Sequence, residues 1–203
     1  LCKRWVLCIG ILLLILLAAC SSEDETIMAA DIPEEPQKQE IKQIIENAAN
    51  ENVEIDDVIE DAFPLMTTIE GDSSNSEVYA TTRFTLSELS LLLSNEFQTE
   101  EISEVKDGQQ IIIFNDFFVT LRKNEADQEV LLIEVAGEEF VRRNYSPSFL
   151  GTYFSIRLLD SMFGNNWNRS SNGDYSGMGS YGGSGGIGRG NTTFRGGGPG
   201  TGK

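Results

Sequence analysis

Apolar residues follow four regimes along the chain. From Trp5 to Ala19 they form one unbroken block behind Lys3 and Arg4. From residue 37 to about residue 100 they recur at element spacing, and from residue 111 to 163 they are nearly continuous. From residue 165 onward they almost vanish into Gly, Ser and Asn.

The second regime opens with Ile41, Ile44, Ile45 and Ala48 at i, i+3, i+4 and i+7, which predicts a helix over 37–50 with Glu40, Lys42 and Glu46 outward. In 53–63, Ile55, Val58, Ile59 and Ala62 fit helical spacing, whereas Val53 and Ile55 open an alternation. The density of β-branched residues reads this segment as a short strand. Residues 70–76 are a loop and 77–83 a strand. Thr85-Leu86-Ser87-Glu88 is a capping box, with Phe84 and Leu89 placed as a hydrophobic staple. It opens a helix that buries Leu86, Leu89, Leu92, Leu93 and Phe97.

In the third regime, 111–114, 117–123 and 129–135 read as strands joined by Asn115-Asp116 and by residues 124–128. Short turns between consecutive strands make an antiparallel meander. Residues 137–144 form a short helix. Ser146-Pro147 then supplies a cap and a first-turn proline for a helix over 149–163, apolar over most of its circumference. Such a helix belongs in the core, and self-association or bilayer contact are its other uses. The class is therefore α+β: a small antiparallel sheet, the meander plus one or two further strands, packed by two to four helices.

The opening block is too short for a comfortable span: fifteen residues make about 22 Å of helix against a hydrocarbon core of about 30 Å. A basic start, an apolar stretch and small residues before a cut mark an export signal. Leu17-Ala18-Ala19-Cys20 resembles the lipobox of bacterial lipoproteins. That resemblance implies cleavage before Cys20 and a diacylglycerol on its thiol, an anchor of two acyl chains. The organisation expected is a signal peptide over 1–19, an acidic tether over 20–36, a single domain over 37–164 and a disordered tail over 165–203. The place expected is the outer face of the plasma membrane.

Charge and missing residue types narrow the chemistry. The chain carries −17, or −19 without Lys3 and Arg4, divided as −12 over 20–64, −10 over 65–164 and +3 over 165–203. An acidic body disfavours nucleic acid and suits cationic partners. Cys2 and Cys8 leave with the signal and Cys20 is acylated, so no thiol remains for a disulfide, a metal or a nucleophile. The sequence has no His, which removes the commonest general base and metal ligand. Asp56, Asp57, Glu60 and Asp61 crowd one segment but lack the ladder and glycine of a calcium loop. No catalytic residue, cofactor or metal ligand is assigned. In the tail, Gly177-Met178-Gly179-Ser180-Tyr181-Gly182 matches GxGxxG without the strand and helix that a dinucleotide site requires. Its Arg-Gly pairs are those of RNA-binding tails, a use that export removes.

Asn144-Tyr145-Ser146-Pro147-Ser148-Phe149-Leu150 and Met162-Phe163-Gly164-Asn165-Asn166-Trp167 resemble an uncharacterised family of Gram-positive lipoproteins, domain of unknown function 4247. Members pair a lipobox with these two segments and a Gly/Ser-rich tail. The resemblance implies an envelope setting and no mechanism. Tyr145, Phe149 and Trp167 are its candidate interaction residues, with packing caps as their plainer role. The reading is a non-enzymatic, lipid-anchored surface lipoprotein that engages an envelope partner, an envelope interaction or homeostasis protein. The alternatives are an acidic module for polyamines, metal ions or basic peptides, and a carboxylate-based wall hydrolase.

Overall fold

The computed structural model describes residues 27–71 and 73–180. Helix α1 (Lys38–Glu51) and helix α2 (Ile55–Ala62) precede strands β1 (Leu65–Glu70) and β2 (Asn75–Thr81). Helix α3 (Leu86–Glu96) leads to β3 (Glu101–Ile102), β4 (Gln109–Phe114), β5 (Phe117–Lys123) and β6 (Leu131–Gly137). Four helices close the order: α4 (Glu138–Asn144), α5 (Pro147–Tyr153), α6 (Ile156–Phe163) and α7 (Trp167–Ser170). The expected α+β class holds. The sheet has six strands in the order β1-β2-β6-β5-β4-β3, and seven α-helices pack it among the described residues, more of each than the sequence suggested.

Every pairing is antiparallel, and β4–β5–β6 is the predicted meander. The Asn115-Asp116 turn sets Phe114 opposite Phe117, with Asn115 at φ 44°. Both faces of the sheet are covered, which explains the continuous apolar runs. Alternate residues of β6 divide between the faces: Leu131, Ile133 and Val135 meet α1, α2 and α3, with Ile41, Ile45, Ile59, Leu89 and Leu93 fully buried there. On the opposite face Ile111, Ile113, Phe118 and Ala136 pack under α4 to α7. The remaining strip, Val78, Ala80, Val130 and Leu132, is covered by the two ends of the described chain, Ile27, Ala29 and Ile32 from one end and Met178 from the other.

Several expectations need correction. Residues 55–62 are helix rather than strand, because Ile55, Val58, Ile59 and Ala62 fall on one helical face and all four are buried. Asp56 and Asp57 in the first turn also favour the helix dipole. Strand β1 was not foreseen. Its half-exposed edge position weakens the alternation, and a bulge between Leu65 and Thr67 breaks it further. Gly71 closes the β1–β2 turn, where a Cβ would lie 2.6 Å from the Ser74 carbonyl oxygen. The helix expected over 149–163 is two helices. Phe154 is extended, and the Ser155 hydroxyl accepts the Leu158 N–H at 3.3 Å, capping a new start. Leu150, Phe154 and Leu159 are buried, Phe149, Tyr153, Leu158, Met162 and Phe163 are half-buried against the same core, and Ile156 is exposed, so each of the two helices packs by one face only.

The limits of the packed body also move outward. The expected tether includes Ile27, Ala29 and Ile32 packed on the sheet and Glu35 only 6% exposed. The expected tail includes Trp167, Tyr175 and Met178, all buried. Each segment contributes too few apolar residues to stand out in composition, yet each covers sheet that no helix reaches. The signal peptide expected over 1–19, Cys20 and residues 181–203 lie outside the described residues. Among the described residues no helix is long and apolar enough to cross a membrane.

Candidate functional site

Strand β6 reads Leu131-Leu132-Ile133-Glu134-Val135-Ala136-Gly137, one acid within an apolar strand. The alternation that sends Ile133 and Val135 to one core sends Glu134 into the other. Its neighbours across the ladder are Val78 on β2 and Thr120 on β5, so the carboxylate starts from the middle of the sheet. Glu134 is 0% exposed.

A carboxylate there requires donors. The Ser76 hydroxyl donates to Oε1 at 2.9 Å, the Tyr175 hydroxyl donates to the same oxygen at 2.9 Å, and the Met178 backbone N–H donates to Oε2 at 3.2 Å. Burial raises the Glu134 pKa above the ordinary carboxylate value, against the lowering pull of the Ser76, Tyr175 and Met178 bonds. Burial and then the charge of Glu134 push both the Tyr145 and Tyr175 phenols upward. The hydroxyls of Tyr145 and Thr120 lean toward this group without closing a hydrogen bond of good geometry.

Two of the three donors come from residues 171–180, a strap laid across α4 and α5. Its backbone is tied at Tyr145 and Tyr175, where the Tyr175 N–H donates to the Asn144 carbonyl at 2.9 Å and the Ser146 N–H donates to the Tyr175 carbonyl at 2.8 Å. Gly173 permits this approach, since a Cβ would fall 2.3 Å from the Tyr145 carbonyl oxygen. The Tyr175 ring stands edge-on to Tyr145 at 5.0 Å and to Phe140 at 5.9 Å. The arrangement fastens the strap to the sheet. The donors that meet Glu134 belong to the chain itself, so its carboxylate is occupied as a clasp.

The other end of the body has a similar fastening. Glu35 accepts from the Thr81 hydroxyl at 2.7 Å and the Thr82 backbone N–H at 3.0 Å, and pairs with Arg83 Nε at 3.3 Å. Ala29 N–H donates to Asp127 at 3.0 Å, and the Asn124 side chain donates to the Ile27 carbonyl.

The aromatic candidates are brought together, in the core. Tyr145 is 1% exposed and lies 5.6 Å from the half-buried Phe149 ring. Trp167 is 5% exposed, lies tilted against Phe163 with ring centroids 4.7 Å apart, and donates its indole N–H to the Arg142 carbonyl at 2.8 Å. All three therefore pack, and Tyr145 builds the seat of the strap. Glu134 was missed as a site although its signal is visible: an acid flanked by apolar residues in a strand covered on both faces. The strap was missed because Gly-rich composition masked Tyr175 and Met178.

Asp56, Glu60 and Glu77 surround Tyr79, whose phenol pKa is raised by burial, by a 2.6 Å bond to Glu77 and by the charges of all three acids. Among the described residues no group of three or more acids, His or Cys is placed to hold a metal ion. Comparison with protein-family models, curated proteins and solved structures gives no match.

Proposed function

We propose that the chain is an extracytoplasmic lipoprotein, anchored through Cys20, whose domain acts by contact with an envelope partner and not by catalysis. The observation that carries this reading is the join between sequence and fold. Lys3-Arg4, the apolar block and Leu17-Ala18-Ala19-Cys20 are followed within seven residues by Ile27, the first described residue, which packs on the sheet. Seven residues span at most about 25 Å, so a lipid on Cys20 holds the domain close to the bilayer. The occupied carboxylate at the centre of the sheet favours a structural role over hydrolysis. The likeness to the uncharacterised lipoprotein family supports the same setting. Its two segments supply Asn144, Tyr145 and Trp167, which seat and flank the strap.

The test is the mass of the N-terminal peptide from membrane-extracted protein, with Cys20→Ala as control. A diacylglycerol adduct on Cys20 is expected. An unmodified Cys20, or a cut elsewhere, overturns the anchor.

A second reading draws on the carboxylates around Tyr79: a surface that takes polyamines or basic peptides. Calorimetry with spermidine should then give a defined stoichiometry that survives moderate salt. Binding that disappears with salt and has no stoichiometry would be a screened charge effect.

A further inference from the structure

Glu134 is fully enclosed, and the strap that encloses it is tied down at two places. Residues 174–180 meet the body through backbone bonds at Tyr175, to Asn144 and from Ser146, and through the bonds of Tyr175 and Met178 to Glu134. Gly177 lies so near the Phe149 ring that a Cβ would stand 3.2 Å from it, and Met178 closes the strip of Val78, Ala80, Val130 and Leu132. The strap is thus both the cover over Glu134 and the source of the Tyr175 and Met178 donors.

The chamber under the strap suits a carboxylic acid. The Ser76 oxygen is 2.9 Å from Glu134 Oε1 and 3.1 Å from the Val135 carbonyl, and it carries a single hydrogen. When that hydrogen turns to Val135, the Ser76 oxygen accepts a bond from the protonated carboxyl, while Tyr175 and Met178 still donate to it. The Tyr145 and Thr120 hydroxyls beside it are buried without a partner and offer two more acceptors.

The titratable groups that face Glu134 are Tyr145 from the end of α4 and Tyr175 from the strap, both neutral phenols pushed upward by burial. Arg122, two residues beyond Thr120 on the same face of β5, is engaged by Gln109 and Glu125. Glu77 of β2 turns to the opposite face, where Tyr79 donates to it. Asp174 of the strap and Arg142 and Arg143 of α4 are exposed, and α5 holds no charged residue. Lifting the strap admits water to the carboxyl, which then ionises at its ordinary value of 4.5, below the value that burial gives it in the shut state. The shut state is favoured in full below pH 4.5 and loses ground as pH rises through the higher value.

We propose that residues 174–180 are a pH-operated latch, shut over the sheet while Glu134 holds its proton and released, with sheet and helices intact, when that proton passes to water. Release bares the Phe140, Tyr145 and Phe149 rings and the strip under Met178. The latch depends on the strap and Glu134 and not on a lipid anchor.

The test is the methyl spectrum of the chain from residue 20 onward, carrying Cys20→Ala and labelled at its methionines, followed from acid to mildly alkaline pH. Met178 reports the strap and Met162 of α6 reports the body. Met178 should move from a buried to a solvent-exposed shift, with a one-proton inflection above pH 4.5, while Met162 keeps its shift. Glu134→Gln should hold Met178 at the buried shift throughout, because its amide oxygen can accept from Met178 and its N–H groups can donate to Ser76 and Tyr175. Tyr175→Phe removes one tie and keeps the ring, so it should move the inflection about one unit toward acid. Joint movement of Met178 and Met162 would mean unfolding of the body and overturns the proposal. So does a Met178 shift indifferent to pH, one that follows pH equally in Glu134→Gln, or an inflection unmoved in Tyr175→Phe.

Discussion

The hydroxyl of Tyr175 donates to the carboxylate of Glu134 at 2.9 Å, joining the C-terminal strap to the central part of the sheet across 41 residues of sequence. Its neighbour Tyr145, equally enclosed, completes no such bond. Tyr175→Phe should therefore destabilise the fold by about 1–3 kcal/mol, the cost of leaving a buried acceptor short of its donor, while keeping the ring contacts. Tyr145→Phe should cost well under about 1 kcal/mol, because it removes a hydroxyl without a good partner. Urea midpoints of the two variants check this, and equal losses would contradict the distinction.

Glu134 also sets a pH dependence. Burial raises its folded-state pKa above the ordinary value of 4.5, so the folded chain keeps the proton to higher pH than the unfolded chain. Its contribution is full below 4.5 and declines as pH rises from there through the folded-state value. Glu134→Gln cannot titrate and lacks this decline. Stability curves of the two proteins measured from acid to neutral pH should approach or cross as pH rises, and parallel curves would refute the assignment.

Gly173→Ala places a methyl group 2.3 Å from the Tyr145 carbonyl oxygen and 2.6 Å from the Asn144 carbonyl oxygen, both backbone atoms. A loss of about 1–3 kcal/mol is expected, with faster amide exchange at Tyr175 and Ser146. Gly151→Ala is the control. Nothing lies within 4 Å of its added Cβ, and the position is helical, so it should be neutral or stabilising by up to about 1 kcal/mol.

Glu35→Ala strips the acceptor from Thr81, Thr82 and Arg83. A loss of about 2–3 kcal/mol should follow, with new proteolytic cuts between residues 27 and 37. A change in global stability without local cutting would indicate that Glu35 does not hold the N-terminal segment.

Local chemistry was legible where one short signal decided an element. The Thr85 and Glu88 capping box is closed, with the Thr85 N–H donating to Glu88 at 2.9 Å, and the meander turns at Asn115-Asp116. Elements decided by tertiary cover were not legible. Ile55, Val58, Ile59 and Ala62 fit two periods until α1 and the sheet select the helix. Phe154 and Ser155 lie within an apolar run whose composition hides the break. Tyr175 and Met178 depend on Glu134, a partner distant in sequence, so no window around residues 171–180 could assign them. The site is half visible in the sequence: Tyr145 stands in a recognisable motif, whereas Glu134, the carboxylate beside it, is one acid among many.

The packing of both ends of the described chain on one strip of the sheet has a mechanical consequence. Tension applied between residue 27 and residue 180 enters through Asn124 and Asp127 at one end of β6 and leaves through Glu134 farther along the same strand. The load closes across part of one strand, bypassing β3, β4 and the helices α1 to α3. A domain fixed at its N-terminal side and tugged at its C-terminal side would peel the two end segments before shearing its sheet.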